Sequence, residues 1–259
     1  MDELIALLKQ EKPNHDAMGE VCKRDHAAAV WLAQNLSFPL REGTENEKVV
    51  YNFLTRTNRL LFRSISDNIP VKKGATIVEI GFGTADCLRQ VAAKLSAAGG
   101  GVIVGLEISP DCVRLARERQ EEYEGVEIRY ELVEPDAPLP LPTSSVDVFY
   151  HSNCWYFWKD LSSTLEEIKR VLRSGGQHLV CSRVCSVKRL FGTLMDKVSA
   201  IFRHTDLDVF KLAMEGVGFT HLSTQRISLG DSGLHYNYTT CIVEKEKEKE
   251  EERGEGEKM

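Results

Sequence analysis

No apolar run in these 259 residues approaches the length that crosses a bilayer, so a membrane-spanning bundle is excluded. The chain opens Met1-Asp2-Glu3 and continues with only short apolar stretches; without the basic n-region and the h-region of a secretory signal, a cytoplasmic address is expected. Seven cysteines, at 22, 87, 112, 154, 181, 185 and 241, include no Cys-x-x-Cys pair and no Cys/His grouping at zinc spacing, so free thiols and no metal are expected. A basic stripe is also missing. The formal charge is -6, and segment 244–258, with eight Glu against four Lys and one Arg, holds -3 of it, leaving -3 for the rest. Such a body grips phosphates poorly, and no nucleic-acid partner is expected. With 42% hydrophobic and 28% charged residues, the remaining composition is that of a globular chain long enough to build a core without disulfides.

The first seventy residues read as helical, with Leu4, Leu7 and Leu8 on one face, a second segment over 27–36, and a third carrying Val50, Phe53, Leu54, Leu61 and Ile65; Pro13, Pro39 and Pro70 punctuate them. From residue 76 short β-rich runs at 76–80, 102–106, 126–130, 146–150 and 177–182 alternate with helical stretches, which predicts a parallel sheet covered on both faces. Ser109-Pro110-Asp111 has the form of a helix start, and so does Asp160. The Asp160 helix is expected to bury Leu165, Ile168, Val171 and Leu172 and to end at Gly175-Gly176, and another helix to run over 206–215. Segments 219–229 and 234–243 flank Gly230-Asp231-Ser232-Gly233 and predict an antiparallel hairpin. The expected domains are a helical cap over 1–70, an α/β domain over 71–243 with a helical insertion at 184–204, and a disordered charged tail over 244–259.

The first β-run passes directly into Gly81-Phe82-Gly83-Thr84-Ala85-Asp86 and then a helical stretch with Leu88, Val91, Ala92 and Leu95. Glycines there let a backbone approach a ligand at a helix N-terminus, or simply pack helix on strand in a tight turn. Asp86 stands where a dinucleotide fingerprint places a small residue, and no Gly-Lys-Ser/Thr follows, so NAD, FAD and a phosphate-cradling loop are disfavoured.

The run Val78-Glu79-Ile80-Gly81-Phe82-Gly83-Thr84-Ala85 resembles motif I of class I S-adenosylmethionine-dependent methyltransferases. Further segments resemble that family in order: Val104-Gly105-Leu106-Glu107-Ile108, then Asp136-Ala137 with Leu139-Pro140-Leu141-Pro142, and Glu166-Glu167-Ile168-Lys169-Arg170-Val171-Leu172. The resemblance implies a doubly wound, Rossmann-like, mostly parallel seven-stranded sheet with a C-terminal antiparallel hairpin, plus the N-terminal helices. It implies S-adenosyl-L-methionine as cofactor, with Glu79 toward the methionine amino group, Gly81, Gly83 and Thr84 beneath it, Glu107 on the ribose hydroxyls beside Ile108, Asp136 and Ala137 at the adenine, and Asn153 at the methionine end. Helix capping by Glu107 or Asp136 and a turn at Asn153 are the plainer readings of those residues. Ala85 replaces the third glycine, a change expected only to tighten helix against strand.

Displacement at a sulfonium methyl depends chiefly on alignment, so a general base is optional and catalytic residues are unassigned. His151 and Tyr156 are weak candidates, as are His235 and Tyr236, each more simply a core or strand-end residue. Segment 153–158, Asn153-Cys154-Trp155-Tyr156-Phe157-Trp158, resembles small-molecule methyltransferases; Cys154 with Cys87, Cys181 and Cys185 is also distantly similar to arsenite methyltransferases. Val187, Leu190, Phe191, Leu194, Met195, Val198, Ile201 and Phe202 form an apolar helical stripe, which reads as a lid for a small, hydrophobic acceptor, as a peripheral membrane contact, or more simply as a face packed on the core. The expected activity is methyl transfer to a small molecule; the alternative is a scaffold that keeps the fold without catalysis.

Overall fold

The computed structural model describes residues 1–12, 14–40, 43–229 and 235–244, without the side chains of Val184 and Cys185. Pro13, the turn 230–233, Leu234 and the charged tail beyond Glu244 lie outside the described residues. Seven strands, β1 (Ala75–Ile80), β2 (Gly101–Glu107), β3 (Val126–Leu132), β4 (Val146–Ser152), β5 (Leu172–Ser182), β6 (Thr220–Ser228) and β7 (His235–Ile242), form one sheet in the order β3-β2-β1-β4-β5-β7-β6. β1 to β5 are parallel, whereas β7 runs antiparallel to both β5 and β6.

Alternation along the inner strands explains the layering. Ile77, Ile103, Val148 and Leu179 face one side, and Val78, Val104, Phe149 and Val180 the other, all buried. The first side is covered by α4 (Glu45–Asn68), α5 (Asp86–Ala97) and α6 (Pro110–Glu118). The second is covered by α7 (Leu161–Val171) and α10 (Leu207–Val217), and joins the helices of the N-terminus, α1 (Asp2–Leu8), α2 (His15–Arg24) and α3 (His26–Ser37), and of the insertion, α8 (Val184–Phe191) and α9 (Met195–Val198). Side-chain caps fix several helix starts: Thr44 and Glu47 form a reciprocal capping box on α4, Ser109 Oγ accepts from Cys112 N, and Asp160 accepts from Ser163 N.

Three expectations are corrected. The helix after Asp160 stops at Val171 because Leu172 pairs with Val146 as the first residue of β5; residues 173–176 then bulge before pairing resumes at Val148 and Gln177. The helix beginning after Asp206 runs on through Gly216 to Val217, and Gly218, at φ 94°, ends it. The apolar stripe of the insertion is not one helix: Gly192, at φ 45°, breaks it between α8 and α9. Val187, Leu190, Phe191, Leu194, Val198 and Phe202 are each less than 9% exposed, so that stripe faces the protein's own core rather than a membrane. No helix among the described residues is long and apolar enough to cross a membrane.

Lys94 joins α4 to the sheet layer. Its Nζ donates to the carbonyls of Ser66 (2.8 Å), Asp67 (2.9 Å) and Ile69 (2.7 Å), neutralising the C-terminal end of α4 from α5. Lys94→Met keeps the stem and removes the charge, so we expect a loss of about 2 kcal/mol in urea unfolding, because hydrogen bonds to charged groups carry that order of energy. A midpoint unchanged from wild type would show that water replaces the ammonium without loss.

Candidate active site

The strand order reverses between β1 and β4, and ligands of open α/β sheets bind outside the carboxyl ends of strands at such a switch point. A cavity of about 520 Å³ opens there, within the range that takes a cofactor-sized ligand. Its floor is the turn after β1. Gly81 (φ 70°), Gly83 (φ 52°) and Ala85 (φ 58°) are all left-handed. A Cβ on Gly81 would lie 2.6 Å from Cys154 Sγ, whereas one on Gly83 would meet nothing within 4 Å. Gly81 is therefore demanded by packing and conformation together, and Gly83 leaves open floor. Ala85 departs from the expectation attached to it: a left-handed alanine costs about 1 kcal/mol in backbone conformation, which the buried N-cap position of α5 absorbs. Thr84, also on the floor, donates from Oγ1 to Asp86 Oδ2 at 2.7 Å, and Arg89 pairs with the same carboxylate. The N-terminus of α5 thus already holds an acid, which repels a phosphate and suits an uncharged nucleoside.

Glu107 ends β2 and is 4% exposed. Its Oε1 accepts from Ile108 N (2.8 Å) and Ser109 N (3.1 Å), and its Oε2 from Gly83 N (2.8 Å). Burial raises its pKa while these three bonds pull the other way. Of the roughly four lone-pair sites of a carboxylate, one remains, on Oε2, for a further donor. Ser109 Oγ donates to Pro39 O at 2.8 Å and holds the chain leaving α3 against this corner.

Asp136 stands exposed on the far wall at φ 59°, accepting from Lys159 N at 3.3 Å, and Ala137 N closes a turn onto Glu134 O at 3.3 Å. Both line the cavity, as do Ile108 and Asn153. Asn153, left-handed at φ 52°, is engaged through Oδ1 by Tyr156 OH (3.0 Å) and Arg183 N (2.9 Å), so it holds a turn as well as facing the cavity. The 139–142 segment is stapled to α7: Glu167 Oε2 accepts from Leu139 N, and Arg170 donates to the carbonyls of Leu139 and Leu141.

Residues 78–180 match the family described as methyltransferase domain. That span, about two-fifths of the chain, carries a methyltransferase domain. Demethylmenaquinone methyltransferase of Tropheryma whipplei (strain Twist) is 25% identical over 195 residues, which span 67% of this chain and 78% of that protein. A SAM dependent methyltransferase from Aquifex aeolicus shares its fold with TM-score 0.58 at 18% identity, over 74% of this chain and 96% of the other. The CMeT domain of the citrinin polyketide synthase does so with TM-score 0.63 at 18% identity, over 89% and 69%.

Not every expected residue reaches the cavity. Glu79 is 1% exposed, outside the cavity wall, and accepts from Tyr150 OH at 2.7 Å; burial pushes its carboxyl up to about 8. His151, on β4, is fully buried, with its ring 4.8 Å from that of Trp158 and 5.2 Å from that of His178. Tyr156 OH is held by Asn153 and by Arg183 N (2.8 Å). Tyr236 bonds Ser64 Oγ at 3.0 Å under α4, and His235 Nδ1 lies 3.0 Å from Arg226 Nη2. Of the cysteines, Cys154 lines the cavity and Cys87 and Cys181 are buried on the α5 side of the sheet. Burial pushes the Cys154 thiol up to about 12, and Trp158 Nε1 donates to its sulfur, so it stands as a thiol at neutral pH.

Asn58 escapes the sequence reading altogether. It lies on α4, lines the cavity and is 8% exposed. The signal was a single amide at the centre of the i, i+4, i+8 series Leu54, Asn58, Phe62, all three of which line the cavity.

Proposed function

We propose that this protein binds S-adenosylmethionine in the larger cavity and methylates a small, largely apolar acceptor. The observation that carries the reading is the cavity at the switch point, whose wall contains Gly81, Gly83, Thr84, Glu107, Ile108, Asp136, Ala137 and Asn153 together. When bound, the cofactor supplies an electrophilic methyl group on a sulfonium. The chain's own part is to seat and orient. Glu107 Oε2 accepts a ribose hydroxyl, Asp136 accepts from the adenine amino group, and Gly83 allows close backbone approach. Glu79, neutral beneath the floor, supports Tyr150 and leaves the methionine amino group to other partners. Leu36, Phe38, Phe157 and Trp158 line the same cavity and keep water from the reacting atoms. With His151 and Tyr156 outside that wall, the reading assigns no base and rests the rate on alignment.

The apolar acceptor is supported by the wall that α3, α4 and the insertion contribute, and by the name of the Tropheryma whipplei relative, a demethylmenaquinone methyltransferase. Calorimetric titration of S-adenosylmethionine into the folded protein tests the cofactor. Micromolar, one-to-one binding is expected, and a folded protein that shows no heat of binding would overturn the reading.

A further inference from the structure

A second cavity, of about 100 Å³, adjoins the first. Leu36, Leu54, Asn58, Asn153 and Phe157 line both and form the passage between them. Past that passage the walls are mainly apolar, with Phe53 from α4, Val187 and Leu190 from α8, and Phe202. Polar groups line it as well: His15, Ser186 and Arg183, whose Nη1 donates to Thr57 O at 3.4 Å, with Thr57 Oγ1 donating to Phe53 O at 2.9 Å and Tyr156 OH bonded to Asn153 and to Arg183 N.

Asn58 differs. It is nine-tenths buried, and among the described residues its side chain makes no hydrogen bond. A carboxamide offers two donors and one acceptor oxygen, and those of Asn58 are left to the cavity it lines rather than to the protein. Its neighbours one helical turn away on either side, Leu54 and Phe62, are apolar and line the same cavity. The amide therefore serves a ligand at the passage rather than the packing of α4. Asn153, across the passage, already has its Oδ1 filled by Tyr156 OH and Arg183 N.

We infer that Asn58 is the acceptor-recognition residue: its carboxamide hydrogen-bonds a hydroxyl or carbonyl of the methyl acceptor at the passage, while a short apolar body of that acceptor lies in the smaller cavity. This rests on the reading that the larger cavity seats the cofactor. The acceptor class is then a compact amphiphile, such as a phenol or enol with a small hydrocarbon substituent. A site built to hydrogen-bond a hydroxyl discriminates strongly against the analogue that lacks it, because its own buried polar group is left unpaired.

The test uses 4-butylphenol and butylbenzene as probes, titrated into full-length protein saturated with S-adenosylhomocysteine. Wild type is expected to bind the phenol about tenfold more tightly than the hydrocarbon or better. In Asn58→Leu that preference collapses to about threefold or less, with S-adenosylhomocysteine affinity unchanged. Leu190→Trp, which fills the smaller cavity, weakens both probes together. A preference absent from wild type or retained in Asn58→Leu overturns the inference, and so does a loss of S-adenosylhomocysteine affinity in Asn58→Leu, which would move Asn58 to the cofactor. A wild-type protein that fails to bind S-adenosylhomocysteine overturns the cofactor reading instead; the two probes, compared without it, then still decide the role of Asn58.

Discussion

Glu107→Ala is expected to weaken S-adenosylmethionine binding by roughly a hundredfold or more, the largest single effect in the cofactor site. Two losses combine. The first is a charge-assisted acceptor for a ribose hydroxyl, of the kind whose removal from a buried position costs about 2–3 kcal/mol, or one to two decades in affinity. The second is the anchor of the floor, since Glu107 Oε2 is what holds Gly83 N, in a turn whose left-handed residues have no side-chain contact at Gly83 to keep them in place. Alanine also leaves Ile108 N and Ser109 N without their acceptor, so a lower unfolding midpoint accompanies the change. Glu107→Gln separates the effects. One oxygen remains for Ile108 and Ser109, while the new amide meets Gly83 N donor to donor, so affinity is expected to fall about tenfold with most of the stability retained. Both values come from calorimetry at a temperature where circular dichroism shows each variant folded. An alanine variant that binds within threefold of wild type would remove Glu107 from the cofactor site.

How much of this was legible follows from where each signal lives. Strands such as 76–80 and 102–106 are apolar on both faces, and that alone identifies a sheet covered on both sides, as Ile77 against Val78 and Ile103 against Val104 show. Glu107 and Asp136 were legible because each follows its strand closely and motif order places them. The failures are long-range. Leu172 carries a good helical pattern, but pairing with Val146, 26 positions earlier, draws it into β5. The 187–202 stripe has the periodicity of a continuous helix, and only packing against α2 and the break at Gly192 turn it into two short pieces facing inward. Glu79 keeps its motif position, yet burial under the floor pushes its carboxyl up and its Oε2 is taken by Tyr150, from a strand 71 residues later. Asn58 gains its meaning from a cavity wall shared with Asn153 and Phe157, which no local pattern on α4 reports.

The buried histidines on β4 and β5 are expected to make the fold acid-sensitive in a window that carboxylates alone do not explain. His151 and His178 lie on one face of adjacent strands, rings 5.2 Å apart, enclosed by Trp158 and Phe210 around His151 and by Phe149 and Phe219 around His178. Among the described residues no ring nitrogen of either has a hydrogen-bond partner. Burial therefore holds both neutral, with His178 pushed down to about 3 and His151 lowered further by its neighbour. Between the unfolded value of 6.5 and about 3 the unfolded chain binds the protons that the folded one refuses, so stability falls as pH drops through that range. His178 takes about 1.4 kcal/mol per pH unit, roughly 3 kcal/mol by pH 4.5, and His151 adds to it in the same direction. Glu79 opposes them: with its folded value near 8 against 4.5 unfolded, it holds a proton the unfolded chain has lost, and its contribution grows as pH falls from 8 to 4.5 by about 1.4 kcal/mol per unit. Two histidines outweigh one carboxyl below pH 6.5, and Glu79 dominates above it, which places maximum stability near pH 6.5. The double variant His151→Leu with His178→Leu isolates the histidine part, because every carboxylate is common to both proteins. Urea unfolding free energies of wild type and variant are expected to diverge in the variant's favour by about 2 kcal/mol or more between pH 6.5 and 4.5. A difference constant to within about 1 kcal/mol over that interval would mean that the rings find partners or water in solution and titrate as exposed groups do.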